Sequence, residues 1–436
     1  MIRTRLSVMM FLEFFIWGAW LPLIFGYLPE IGFDDNQQFW VLGCFNFAAI
    51  VAMFFSTQFA DRNFAAEKFV AFSHLIGGVS MLGLATTKNF WAFLAFMAVH
   101  CLFYVPTISI TNSIAFANVR DPQKDFGLVR LWGTIGWIAA SWPFVLVLAD
   151  WEKINSLGSL SFIDWLGAVL KYGKTGEAFV EATKYTFIAA GIASLVLAAF
   201  SLALPHTPPK PAAKGESQFA WIESARLLAV PFMLVLFIVT FMDATVHQCY
   251  FIWTGRYLQS IGIPGNWVMP AMSVGQFAEI GTMAILGAFL KRLGWRATMT
   301  IGILGHAVRF AVFAFFPNPA TAVAVNVLHG ICYAFFFATV YIFVDEFFPK
   351  DARSSAQGLF NLLILGIGPL VGNFLGPRLI TYFTSKGAGG VEIVDFSKMF
   401  LIPSGTAVVA AVLLFLFFHP PATAAPTDGK GVAPAH

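Results

Sequence analysis

The chain has 436 residues, of which 58% are hydrophobic, 17% aromatic and only 11% charged, with 50 Phe and a mean hydropathy of +0.76. Soluble domains carry about 25% charged residues, so this chain has too few charges to cover a water-facing surface, and a soluble enzyme is excluded. A net charge of +3, with no Lys/Arg run longer than two, leaves nucleic acid without an electrostatic footprint to bind.

A hydrocarbon core of ~30 Å takes ~20 apolar residues per helix, and apolar segments bounded by Gly, Pro and charge clusters predict an all-α integral membrane protein of twelve spans. The first six cover 6–29, 38–60, 68–87, 90–116, 127–150 and 183–205; the second six cover 227–254, 266–290, 297–316, 319–347, 354–383 and 396–418. Arg3 and Arg5 before an apolar run look like a signal peptide, but Glu13 interrupts the run and no A-x-A site follows, so the segment reads as the first span. Runs of ~10 residues with polar alternation, the mark of a β-barrel, are absent. The long loop 151–182 leaves room for a short surface helix. Pro208, Pro209 and Pro211 cannot continue a helix, so the expected domains are a first six-helix bundle at 1–205, a linker at 206–226, a second bundle at 227–419 and a disordered tail at 420–436. Cys44, Cys101, Cys249 and Cys332 all sit in apolar stretches without C-x-x-C spacing and read as core residues.

With the N-terminus inside, fifteen of the 26 Lys and Arg fall on the cytoplasmic side and nine outside. The positive-inside rule then places both termini in the cytoplasm of a multi-pass inner-membrane protein. Asp61, Arg62 and Lys68 follow the second span, and Lys291, Arg292 and Arg296 follow the eighth around Gly287 and Gly294. A Gly and Arg/Lys turn at the same connection in both halves resembles the cytoplasmic loop signature of the major facilitator superfamily, which implies a gating role; a purely topogenic cluster is the alternative.

A charge at a span's centre costs at least ~2.5–3.5 kcal/mol, so the few intramembrane polar residues ask for a reason. Arg130, Thr134 and Trp137 follow i, i+4, i+7 spacing and share a helix face, as do Gln276 and Glu279 at i, i+3 and His329 and Tyr333 at i, i+4. His247, Gln248 and Phe251 add imidazole, amide and ring in the seventh span. One cavity lined by this set suits an uncharged, hydrogen-bonding solute with an aromatic part, such as a sugar bearing a base, since rings stack on a nucleobase at ~1–3 kcal/mol. Helix–helix hydrogen bonding is the competing explanation for any one of them.

The stretches FLEFFIWGAW (11–20), YVPTISITN (104–112), RLWGTIG (130–136), RFAVFA (309–314) and SSAQG (354–358), with the Gln276-x-x-Glu279 pair, resemble the bacterial nucleoside:proton symporters of the major facilitator superfamily. The similarity extends from about residue 6 to 418. It implies two pseudo-symmetric six-helix bundles, alternating access, and nucleoside contacts at Arg130, Thr134, Gln248, Gln276 and Glu279. The chain departs from the family pattern at Trp137, where Phe is common, at Phe251, where Asn is expected, at His329 for Tyr and at Tyr333 for Phe. Ala334 replaces an expected Asp.

Proton coupling needs a group that titrates as the cavity changes. Glu279 is the first candidate, with Asp243 and Glu13 as rivals. The expected partners are a nucleoside, protons and the bilayer; no cofactor or metal is expected, and the chain is read as a monomer. A facilitator-fold carrier of a sugar or glycoside is the nearer alternative. A membrane enzyme is the farther one: the eight histidines form neither H-E-x-x-H nor a local pair with Cys or Asp, and no G-x-x-x-x-G-K-[ST] loop occurs.

Overall fold

A computed structural model describes residues 2–55, 63–119, 122–209, 227–347, 350–387 and 392–420. Among these, a helix covers each of the twelve expected segments, the eighth and ninth being joined in one. The first half contains α1 (Ile2–Glu30), α2 (Asp35–Phe55), α3 (Ala66–Leu84), α4 (Phe90–Asn118), α5 (Pro122–Ser141) and α6 (Gly176–Ser201). The second contains α7 (Pro231–Ser260), α8 (Val268–Phe315), α9 over 319–347, α10 over 350–383 and α11 (Phe396–Phe417). Asp61 and Arg62, and nearly all of the linker and tail, lie outside the described residues.

Two ends differ from expectation for local reasons. The fifth span stops at Ser141 because Pro143 follows, and a short helix at Phe144–Val147 replaces its last turns. The long loop 151–182 holds two helices instead of one, Trp151–Ser156 and Phe162–Lys171. Their N-caps are Asp150, which accepts from the Lys153 amide, and Ser161, which accepts from that of Asp164. The sixth span then begins at Gly176, before its apolar run. Residues 384–394 carry a two-stranded antiparallel ribbon, β1 (Thr384–Lys386) and β2 (Glu392–Val394).

Within α8 the chain breaks at Gly294, whose φ of 71° and ψ of 177° belong to no helix. That left-handed φ is open to glycine at no steric cost, which explains why the Lys291, Arg292, Arg296 turn is built around it. The α9 and α10 helices each contain a π-helical turn, at Tyr333–Ala338 and Leu362–Ile367.

Each half packs as a six-helix bundle: α1 against α5 and α6, α3 between α4 and α6, then α7 against α10 and α11 and α8 against α9 and α11. Small residues bring these helices together, as membrane packing requires. A Cβ at Gly136 on α5 would collide with the Phe11 carbonyl of α1. The two bundles meet along α2 with α10, α5 with α8, and α1 with α7.

Candidate functional site

Between the bundles lies a cavity of about 740 Å³, within the size range of small-molecule sites. Arg130, Thr134 and Trp137 of α5, Gln248 and Phe251 of α7, Gln276 and Glu279 of α8, and His329 and Tyr333 of α9 all border it. Helical spacing placed each group on one face, and the four faces converge.

The Arg130 guanidinium lies 4.0 Å from the Phe14 ring centroid. Gly133, one turn on, makes the room: a Cβ there would stand 2.7 Å from both Nη1 of Arg130 and Cδ2 of Phe14. Arg130 and Glu279 are close enough to attract one another, and the Tyr333 hydroxyl sits in the field of both. Rings form a second wall. Trp17 meets Trp137 edge-on at 5.3 Å, and Trp137 meets Phe251 at 6.5 Å. Gly330 of α9 lets that helix touch α8 beside the carboxylate, since a Cβ there would lie 2.6 Å from the Ala278 carbonyl carbon and also clash with the Glu279 amide.

Sequence reasoning missed a chain of amides across the bundles. The Gln248 amide donates to Asn373 Oδ1 at 2.8 Å, Asn373 donates to Asn46 Oδ1 at 2.7 Å, and Asn46 donates to the Leu365 carbonyl at 2.9 Å. The signal was present, because Asn46 and Asn373 are isolated amides in apolar runs.

At the end farther from the N-terminus the halves are tied together. Arg378 donates to Asn36 Oδ1 at 2.6 Å and Thr381 donates to Asp35 at 3.0 Å. The fully buried Asn266, just before α8, donates to the carbonyls of Val145 (3.3 Å) and Val169 (3.0 Å), in the chain between α5 and α6. Towards the opposite end, Phe116, Phe126, Tyr341 and Gln357 continue the cavity lining. Lys291 and Arg292 are exposed there, and Arg296 lies 5.3 Å over the Phe415 ring.

Glu13 and Asp243 do not border the cavity. Each is buried in a carboxylate–imidazole pair: Glu13 with His74 of α3 at 2.9 Å, Asp243 with His306 of α8 at 2.9 Å. These pairings correct the reading of the histidines as unclustered, since acid and imidazole lie on different helices. Arg309 is likewise buried, and its Nη1 donates to His329 Nδ1 at 2.8 Å.

A twelve-segment, two-bundle fold with a polar and aromatic cavity at the interface defines a secondary transporter of the major facilitator type. The family model described as nucleoside H+ symporter matches residues 1–423, and the chain belongs to that family. It is 31% identical to YegT of Escherichia coli over 426 residues, covering 95% of this chain and 93% of that one. It is 27% identical to the xanthosine permease of the same organism over 441 residues, covering 96% of each. The crystal structure of the nucleoside transporter NupG superposes with a TM-score of 0.77 at 24% identity, covering 96% of this chain and all of that one. The chain is therefore a multi-pass transporter of the bacterial inner membrane, not an enzyme, and it imports nucleosides by proton symport through alternating access.

Proposed function

We propose that the cavity is the nucleoside site and that the nine residues converging on it make the contacts. The observation that carries this reading is the meeting, on four helices, of one cation, one carboxylate, two amides and a hydroxyl with a wall of rings. Arg130, Glu279, Gln248, Gln276 and Thr134 supply the donors and acceptors that ribose hydroxyls and a base edge need. Trp137, Phe251, His329 and Tyr333 supply faces for the base. Glu279 is assigned here to the substrate.

The fifteen Lys and Arg on the side of the termini, against nine on the other, support a cytoplasmic location for both termini. On that orientation the end tied by Asn36, Arg378 and Asn266 is periplasmic, and the cavity is inward-facing. Residues 1–205 and 227–419 then act as the two rocking bodies of a monomer in the bilayer, joined by 206–226. Lys291, Arg292 and Arg296 form a cytoplasmic gating turn; Asp61 and Arg62, its expected counterpart, lie outside the described residues.

Counterflow of labelled uridine, adenosine and xanthosine in proteoliposomes tests the site. Trp137→Ala and Tyr333→Ala should weaken uridine more than free ribose, by about 5- to 150-fold for a stacking loss of ~1–3 kcal/mol. Equal losses for the two solutes would refute base stacking on these rings.

A further inference from the structure

We infer that the coupling proton resides on Asp243 and reaches it from the cavity through His247 and His306. This rests on the proton symport of the family and on the cavity assigned above. His247 borders the cavity; its Nδ1 is 3.2 Å from His306 Nε2, and His306 Nδ1 is 2.9 Å from Asp243 Oδ1. Asp243 and His306 are wholly shielded, with 0% side-chain exposure. The three groups thus form a single file, open at one end to the space that alternates between the two sides of the membrane.

The chemistry of the file balances. With Asp243 ionised, His306 donates Nδ1–H to it, His247 donates Nδ1–H to His306 Nε2, and His247 Nε2 is left bare. A proton arriving at His247 Nε2 forms a new N–H bond. The Nδ1–H of His247 then breaks as its proton passes to His306 Nε2, and the Nδ1–H of His306 breaks as its proton passes to Asp243 Oδ1. The result is a neutral acid and two neutral imidazoles in the opposite tautomers. Running the same steps backwards discharges the site. Loading and unloading therefore use one path, and the rocking of the bundles decides which side the path meets.

The neighbours fit this role. Arg309 of α8 supplies a fixed positive charge that Asp243 feels. Because guanidinium can only donate, its bond to His329 Nδ1 pins that ring as the Nε2–H tautomer. His329 stacks on His247 at 4.9 Å but stays outside the file. The remaining titratable groups facing the cluster are Tyr250 of α7 and Cys332 of α9, and α11 contributes Ser404, whose hydroxyl donates to the Ala307 carbonyl.

The first half provides an internal comparison. Glu13 and His74 repeat the acid–imidazole pair on α1 and α3, but Thr107 donates to Glu13 Oε1 at 2.8 Å and Ser194 Oγ lies 3.0 Å from His74 Nδ1. Neither Glu13 nor His74 borders the cavity. That pair is saturated and closed. In the second half Asp243 Oδ2 has no hydrogen-bond partner among the described residues, and an imidazole carries the pair to the cavity.

The test uses full-length protein in proteoliposomes, measuring uridine counterflow and uridine accumulation under a pH gradient. At one proton per nucleoside, a gradient of about one pH unit sustains about tenfold accumulation. In Asp243→Asn and in His247→Phe, exchange should persist while accumulation falls to the no-gradient level. Glu13→Gln should accumulate like the wild type. Any exchange-competent Asp243→Asn or His247→Phe protein that still concentrates uridine overturns the proposal. Should both variants fail to fold, infrared difference spectra of wild-type protein decide: acidification should produce a buried protonated-carboxyl band that survives in Glu13→Gln and Glu279→Gln, and its absence overturns the proposal. Failure of the nucleoside site itself would show separately, as wild-type protein without uridine counterflow but with the carboxyl band intact.

Discussion

Replacing Arg130 by Ala is the sharpest probe of the cavity. The guanidinium is held over Phe14 at 4.0 Å, a cation–π contact worth roughly 0.5–2 kcal/mol, so it waits in place for a ligand at little further ordering cost. A hydrogen bond to a charged group contributes about 1.5–3 kcal/mol. Losing one such bond to a nucleoside weakens binding by about 10- to 150-fold. Removal also strips Glu279 of a favourable neighbour, so Arg130→Ala/Glu279→Gln should fold more stably than Arg130→Ala alone. Arg130→Lys keeps the charge but not the flat fork and should fall between wild type and Ala. Isothermal titration of uridine into purified protein at fixed pH measures all four. An Arg130→Ala dissociation constant within about threefold of wild type, on protein of unchanged melting temperature, would refute the assignment of this guanidinium to the substrate.

Two further outcomes follow from packing and closure. Gly330→Ala should lower stability by about 1–3 kcal/mol, the usual cost of overpacking, because the added carbon meets the α8 backbone at Ala278 and Glu279; Gly281→Ala, with nothing within 4 Å, should leave the melting temperature of detergent-solubilised protein unchanged or raised. Asn266→Ala removes two hydrogen bonds from the outer loop, about 1–3 kcal/mol of closure. Spin-label distances across the outer end should shift to longer values, and an unaltered distribution would show that other contacts set the closed state.

The spans were readable because each is a run of apolar residues long enough to cross a bilayer, and the cavity residues because polar groups in such runs are few and keep helical spacing. The Gly294 break was readable too, as a glycine among basic residues. The π-helical turn at Tyr333–Ala338 was not, since nothing in YAFFFA distinguishes an i+5 turn from an α-helix until neighbouring helices press on it. The buried histidines were missed for a related reason. Glu13 and His74 are 61 residues apart, Asp243 and His306 are 63 apart, and no local motif spans such a gap. The near-equal separations are the signal that was available: a six-helix unit used twice sets its first and third helices at the same offset each time.

Beside the side-chain ties of Arg378 and Thr381, the latch made by Asn266 depends on one amide side chain and two main-chain carbonyls, those of Val145 and Val169. A lock of that kind reads backbone shape and is blind to side-chain identity. The loop between α5 and α6 can therefore change exposed residues such as Phe162 and Ile163 while the two carbonyls that Asn266 reads stay in place. Substitution on that surface and the hydrogen bonds of Asn266 are decoupled, so the exposed face of the loop is free to vary without loosening this contact.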